Sequence, residues 1–177
     1  MHQLTTSVQL VLAQHCNGTK QGRLFGGQIL AWIDVVGGAA ARRYAHTEVT
    51  TACIDDLDFI GPAYLNDMIV QEARVTWTGR TSMEVRVDSF VEHRDGSRTL
   101  VNRAFAVYVA LDEEDRPTPV PPFTPETEEE QADWNAAVKR RESGWRDNRK
   151  SFLVLCLLKC YNENCKKEHM VNRRRLN

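Results

Sequence analysis

The sequence predicts an α+β fold, in which one antiparallel sheet wraps around a single long central helix. Three observations predict it: a strand-like segment near the start, one long apolar helical segment, and four closely spaced strand-like segments after it. A single sheet has one face to bury, and one long apolar helix is a natural filler for that face. The length of 177 residues, with 42% apolar and 27% charged residues, is typical of one globular domain with an appendage.

The first strand is predicted over Ser7–Ala13, where Val8, Leu10 and Leu12 alternate with Gln9. The following residues, 14–23, are polar and rich in turn signals, which indicates a loop. The central helix is predicted over Gly26–Ala45 and is about 30 Å long. Since aliphatic and small residues surround most of its circumference, we expect this helix to be buried on nearly all sides.

Four strands are predicted after the helix, each ended by turn residues such as Gly61-Pro62 or Arg94-Asp95-Gly96-Ser97. The last of them places Phe105, Val107 and Val109 on one face. The predicted strands are Val49–Ile60, Asp67–Trp77, Met83–Asp88 and Thr99–Leu111.

The C-terminal part differs in composition from the rest of the chain. Five prolines lie between Pro117 and Pro125 and end the sheet, and a helix is predicted from Thr127 to about Lys150. The predicted division is therefore a domain over 1–125, a helix over 126–150 and a basic tail over 151–177. The tail is open to three interpretations: a poorly ordered segment, an artefactual extension or an oligomer contact.

Several classes of function are disfavoured by composition. The net charge of -1 gives no indication of nucleic acid as a partner, and no apolar run is long enough to enter a membrane as a span. The start of the chain lacks the pattern of a secretory signal, so the five cysteines are expected to be free thiols. A metal site from Cys156, Cys160, Cys165 and His169 is disfavoured because these residues lack a short Cys-x-x-Cys spacing.

The run from Gly22 to Asp34, GRLFGGQILAWID, resembles the signature of hotdog-fold acyl-CoA thioesterases of the cytosolic acyl-CoA hydrolase type. Residues 49–55, 75–85, 107–112 and 125–130 resemble further segments of that family, in the same order. The resemblance implies a hotdog fold and hydrolysis of acyl-CoA to free fatty acid and CoA in the cytoplasm. It also implies that no cofactor is needed beyond the CoA of the substrate, and that the chain forms homodimers grouped into a homohexamer.

Asp34 is the first candidate catalytic residue, because a carboxylate within an apolar helix is costly unless it is paired or used. The resemblance assigns it to catalysis, as a general base or a nucleophile, with an asparagine on the preceding loop of the other subunit. That asparagine normally stands three positions before the glycine that is here Gly22; Asn17 lies two positions too early, which leaves Thr19 and Gln21 as alternatives. In a purely structural role, Asp34 would cap a neighbour or pair with Arg42 or Arg43.

The helix start offers an oxyanion site. Gly26 and Gly27 have free backbone N–H groups, no side chains to block a carbonyl, and the positive end of the helix dipole. Gly27 and Asp34 lie two turns apart, about 10 Å, so both can act on one thioester only if they come from different subunits. A second glycine pair, Gly37-Gly38, is expected to allow close packing against the helix.

Three further segments are candidates for binding the substrate. The resemblance implies that Thr51-Ala52-Cys53 and Arg80-Thr81-Ser82 contact CoA, with Arg80 suited to a phosphate, and Phe25 is a candidate pocket wall. Cys53 is expected to be a small buried residue rather than a nucleophile. Two other functions stay open: a hotdog hydratase or dehydratase, disfavoured because the helix lacks a central histidine, and a non-catalytic acyl-CoA-binding module.

Overall fold

The computed structural model describes residues 4–18 and 20–148, with side chains described as far as Glu142. Thr19 and the predicted tail, including its three cysteines, lie outside the described residues. The elements are β1 Thr5–Leu10, a 3-10 turn Ala13–His15, α1 Gly26–Ala45, β2 Glu48–Phe59, β3 Met68–Thr78, β4 Ser82–Glu92, β5 Arg98–Leu111 and α2 Glu128–Asn148.

The five strands form one antiparallel sheet in the order β1-β3-β4-β5-β2. The predicted succession of strand, helix and four strands is confirmed, and the hairpins β3–β4 and β4–β5 connect neighbours. β2 does not pair with the strand that follows it; instead it pairs with β5 and forms one edge of the sheet. α1 lies against the sheet and contacts all five strands.

The expectation that α1 is buried on nearly all sides is wrong for the single chain. One face, which includes Ile29, Ile33 and Val36, is buried against the sheet. The opposite face carries Asp34 and Val35 into solvent, and Val35 is 72% exposed. The sheet is a single layer and covers only one side of the helix, which leaves an apolar helix face uncovered by the residues that the structure describes.

The face of β5 that packs against α1 is not the face that carries most of its large apolar residues. Phe105, Val107 and Val109 do share one face, but small residues and one tyrosine, Tyr108, are the residues that pack towards α1. Small side chains let the helix approach the sheet closely. In β1, too, the face that carries the large apolar residues is not the face that lies against α1. Thr5 accepts a hydrogen bond from Arg43 of α1, whereas Val8 and Leu10 are half exposed.

A row of polar side chains, three of them buried and the fourth half-buried, crosses the sheet on its helix side. Ser7, Gln71, Ser89 and Asn102 lie opposite one another on β1, β3, β4 and β5. Gln71 donates to Ser89 at 3.1 Å, and Asn102 donates to the Asp58 carbonyl at 2.8 Å. The bond between Gln71 and Ser89 is fully buried and therefore shielded from water, so it favours a single register for the strands.

α2 begins with a capping box in which Glu130 accepts from the N–H groups of Glu126 and Thr127, and Thr127 accepts from the N–H of Glu130. The described chain divides into two compact units after Lys139, within α2. Neither described helix is long and apolar enough to cross a membrane. The predicted division at residues 125 and 150 stays a prediction.

The first turns of α2 are held on the sheet by Asp133, which accepts from Arg86 at 2.9 and 3.1 Å and lies 3.2 Å from Arg74. We expect Asp133→Asn to lower the free energy of unfolding by about 1–2 kcal/mol, because two half-buried guanidinium groups lose a charged acceptor. Urea unfolding measures the change. Glu129→Gln is the control, because this more exposed side chain forms an ion pair with Arg74 alone among the described residues. An equal loss in both variants would contradict the role of Asp133.

Candidate active site

Asp34 lies on the exposed face of α1 and is held by Thr51 of β2. The Thr51 hydroxyl donates to Asp34 Oδ1 at 2.5 Å. The two arginines considered as structural partners are engaged elsewhere: Arg42 pairs with Glu48 at 2.6 Å and Arg43 donates to Thr5 at 3.1 Å. The carboxylate is therefore oriented by a neutral hydroxyl and leaves one oxygen open to solvent.

A second hydroxyl, that of Tyr108, reaches the same point from β5. Tyr108 is 1% exposed, and its hydroxyl donates to the backbone carbonyl of Asp34 at 3.2 Å. Thr51 lies directly opposite Tyr108 in the sheet, so both hydroxyls approach Asp34 from paired strands. Burial and the nearby negative charge of Asp34 raise the pKa of Tyr108 well above its usual value, which keeps the phenol neutral.

Gly37 makes this arrangement possible. A Cβ at Gly37 would lie 2.3 Å from the Tyr108 hydroxyl, far inside contact distance, whereas a Cβ at Gly38 would lie 3.6 Å from the tyrosine ring. The prediction that the glycine pair allows close packing is confirmed, and it is Gly37 that carries the requirement.

The start of α1 presents free backbone donors, as predicted. The first hydrogen bonds of the helix run from the N–H groups of Gln28 and Ile29 to the Phe25 carbonyl. In the described part of the chain, no bond is made by the N–H groups of Gly26 and Gly27, which belong to the first turn. The ring of Phe25, 57% exposed, lies close against Gly27, and Phe59 lies close against Gly26.

A cavity of about 280 Å³ lies beside this helix start. Asn17 and Gly26 both line it, so the structure brings these two predicted site residues together. Asp34 is not among the lining residues of this cavity. The remaining lining residues are Arg23, Leu24, Ile29, Phe59, Gly61, Pro62, Ala63 and Val101.

The two segments expected to contact CoA lie at the same end of the sheet. Ser82 lies opposite Val109 of β5, and Val109 lies opposite Thr50, the neighbour of Thr51. The carbonyls of Arg80 and Thr81 are fixed by the N–H groups of Val120 and Ala110, at 3.0 and 2.9 Å. The exposed Arg80 guanidinium makes no ion pair with any described residue.

Ala52 sits at a bulge in β2, where the pairing with β5 shifts between Thr51 and Cys53. Cys53 is half-buried, and the pKa of its thiol is raised by burial first, then by the charges of Asp55 and Glu84. A raised pKa disfavours the thiolate, which argues against Cys53 as a nucleophile. Among the described side chains, no three His, Cys, Asp or Glu residues are grouped so that they could hold a metal ion.

Tyr108 is the site residue that sequence reasoning missed. Its position in an alternating strand gave no indication of function, since an aromatic residue in a strand is ordinarily a packing residue. The usable signal was a polar aromatic residue flanked by alanines on the helix-facing side of β5, opposite a helix with a glycine pair.

Comparisons with known proteins identify the family of the chain. The family model described as the thioesterase superfamily matches residues 21–96. An uncharacterized acyl-CoA thioester hydrolase of Bacillus subtilis is 42% identical over 128 residues, which cover 72% of this chain and 73% of that protein. The chain belongs to the acyl-CoA thioester hydrolases of the thioesterase superfamily. Mouse acyl-coenzyme A thioesterase 11 is 36% identical over 85% of this hydrolase, which spans only 25% of that longer protein.

Solved structures give the same result. A hexameric acyl-CoA thioesterase superposes with a TM-score of 0.75 at 39% identity, covering 81% of this chain and 91% of that one. The acyl-CoA hydrolase of Staphylococcus aureus, in complex with butyryl coenzyme A and coenzyme A, superposes with a TM-score of 0.78 at 28% identity, covering 88% and 94%. The predicted hotdog fold, family and class of activity, acyl-CoA thioester hydrolysis, are confirmed for this hydrolase.

Proposed function

We propose that two copies of the chain build each active site together, with Asp34 from one copy and the loop and helix start of α1 from the other. One observation carries the proposal. The carboxylate and the oxyanion donors lie at different places in the single chain, because Asp34 does not line the cavity that Asn17 and Gly26 line. The exposed apolar face around Val35 supports a second copy as the partner that brings them together.

In the proposed reaction, Asp34 removes a proton from a water molecule while the oxygen of that water attacks the thioester carbonyl carbon. The resulting oxyanion accepts hydrogen bonds from the free N–H groups of Gly26 and Gly27. When the C–S bond breaks, protonated Asp34 returns its proton to the CoA sulfur, so acid and thiol leave and the carboxylate is restored. In the alternative role, the Asp34 carboxylate attacks the carbonyl carbon directly, the C–S bond breaks and CoA leaves as the thiolate, which gives a mixed anhydride on Asp34. Water then hydrolyses this anhydride to the free acid and the restored carboxylate, and its other proton goes to the CoA thiolate.

The S. aureus hydrolase supports the choice of side chains. Structures exist of its variants in which one aspartate, one asparagine or one threonine is replaced by alanine. Its aspartate and threonine are 17 residues apart, which is also the separation of Asp34 and Thr51. Its asparagine precedes the aspartate by 15 residues, where this chain has Thr19; Asn17, two residues earlier, is the asparagine that lines the cavity.

For the substrate, we assign the CoA part to Thr51-Ala52-Cys53 and Arg80-Thr81-Ser82, and a wall of the site to Phe25. Arg80 supports this, because it is exposed and pairs with no acidic residue in the described part of the chain, and a guanidinium suits a phosphate. The chemistry needs no cofactor, because a carboxylate, water and backbone donors supply every step. A homodimer within a homohexamer is supported by the hexameric structural neighbour, and a cytoplasmic location by rodent relatives named cytosolic.

A complementation experiment tests the shared site. One inactive variant carries Asp34→Asn, and the other carries alanine at Asn17, Thr19 and Gln21. After unfolding and refolding the two together, about half of random dimers are mixed, and each mixed dimer regains one intact site. We expect about a quarter of wild-type CoA release, measured as free thiol.

The controls are each variant refolded alone and the two mixed without unfolding. If every residue of a site came from one chain, no mixed dimer would contain an intact site, and the mixture would stay as inactive as its parts. That result would contradict the shared arrangement.

A further inference from the structure

We infer that Tyr108 and Thr51 form a reversible pair of hydroxyls that holds Asp34 both as a carboxylate and after it has accepted the proton of water. Tyr108 is then a positioning residue for the reaction. The inference rests on the proposed function, because it requires Asp34 to act as a general base.

The geometry places three groups at one point. Thr51 Oγ1 is 2.5 Å from Asp34 Oδ1, Tyr108 Oη is 3.2 Å from the Asp34 carbonyl, and Thr51 and Tyr108 lie directly opposite each other on paired strands. Within the described chain, these two hydroxyls are the only side-chain groups bonded to Asp34. Both ends of the same residue, carboxylate and carbonyl, are therefore held from neighbouring strands.

While Asp34 is charged, its carboxylate is an acceptor only. Thr51 donates its single proton to the carboxylate, and Tyr108 donates to Thr51 or to the Asp34 carbonyl. Every hydroxyl proton then has an acceptor, and the negative charge receives one hydrogen bond.

When Asp34 carries the proton taken from water, the directions reverse. The carboxyl O–H donates to Thr51, Thr51 turns and donates to the Tyr108 oxygen, and Tyr108 donates to the Asp34 carbonyl. Only hydroxyl rotations are required, no bond to hydrogen is broken, and every donor again has an acceptor. Without the Tyr108 oxygen, the Thr51 proton in this state would have no partner.

Burial makes the Tyr108 hydroxyl hard to replace by water. Tyr108 is 1% exposed, and its oxygen lies so close to Gly37 that no Cβ fits between helix and strand. A water molecule needs space as well as polar partners, and no space is left at this contact.

Within the described residues, few titratable or charged groups lie on the elements around Asp34. β5 contributes the Tyr108 phenol and β2 the Cys53 thiol near Thr51; on α1 itself, Arg42 is paired with Glu48 and Arg43 donates to Thr5. From β1, β3 and β4, no described charged side chain makes an ion pair or hydrogen bond with Asp34. A change in pH dependence on removing the Tyr108 hydroxyl is therefore attributable to this hydroxyl pair.

The test is Tyr108→Phe, with kcat, KM and the pH dependence of kcat/KM measured by thiol release from butyryl-CoA. We expect kcat to fall about tenfold and KM to change less than twofold, the size expected for one lost hydrogen bond in a reaction intermediate. The acid limb of the pH profile should move to lower pH, since protonated Asp34 loses support. Tyr44→Phe, which removes a hydroxyl at the far end of α1, is the control and should change none of these values.

A second variant separates the hydroxyl pair from general packing. In a Thr51→Val background, Tyr108→Phe should lower kcat by less than twofold, because the pair is already broken. A full tenfold loss there, or an unmoved acid limb in the single variant, would overturn the inference. If Asp34→Asn stays active, the proposed role of Asp34 as a general base is wrong, whatever Tyr108→Phe shows. If Asp34→Asn is inactive and Tyr108→Phe behaves like the wild type, only the role of the hydroxyl pair is wrong.

Discussion

Replacing Asp34 by asparagine should abolish acyl-CoA hydrolysis, with kcat reduced about 10³- to 10⁴-fold. Asparagine is nearly the same size and keeps an oxygen that accepts from Thr51, but it cannot take a proton from water. Asp34 is exposed and outside the core, so the midpoint of thermal unfolding should stay within about 2 °C of the wild-type value. Thiol release and thermal unfolding measure the two effects separately.

Asp115→Asn is the matched control, since it makes the same change on an exposed turn far along the chain from α1. The φ of Asp115 is 58°, a conformation that asparagine also adopts readily, so its fold and activity should be unchanged. Retained hydrolysis in Asp34→Asn would remove Asp34 from the mechanism. A loss of activity accompanied by unfolding would assign it a structural role instead.

The architecture was predictable because its signals are local. The apolar run of α1, the alternation in β3 and β5 and the glycine turns between strands each depend on a few neighbouring residues. The edge position of β2 was not predictable in the same way. Whether a strand pairs with its successor or with a distant strand is decided by the loop and by helix packing, and neither leaves a short sequence pattern.

For the site, the residues on α1 were predictable and their environment was not. Asp34, Gly26 and Gly27 stand out because a lone charge and a glycine pair are unusual in an apolar helix. The exposure of Asp34 in the single chain could not be derived from the sequence. An apolar helix has the same composition whether its own sheet covers all of it or a second copy of the chain covers part of it. The contact of Tyr108 with Gly37 depends on the crossing of α1 and β5, which are far apart in sequence.

Replacing Gly37 by alanine should destabilise the fold and also reduce activity. The added Cβ would lie 2.3 Å from the Tyr108 hydroxyl and 3.1 Å from its Cζ, so the buried ring or the helix must move. Overpacking of this kind costs about 1–3 kcal/mol, which exceeds the roughly 0.5–1 kcal/mol that alanine gains over glycine within a helix. Urea unfolding measures the loss of stability, and thiol release from butyryl-CoA measures kcat.

Gly38→Ala is the matched control on the same helix turn. Its Cβ would lie 3.6 Å from the Tyr108 ring, an ordinary contact, so this variant should be as stable as the wild type or slightly more stable. Equal losses in both variants would contradict a specific clash at Gly37.

Combining Gly37→Ala with Tyr108→Phe removes the atom that clashes most and leaves the ring carbon at 3.1 Å. Stability should therefore recover in part, because the remaining contact is tight but not prohibitive. Activity should not recover, because the hydroxyl that faces Asp34 and Thr51 is now absent. A double variant that regains both stability and full kcat would show that Tyr108 contributes only its bulk. One that regains stability alone would separate the packing role of Tyr108 from the role of its hydroxyl in catalysis.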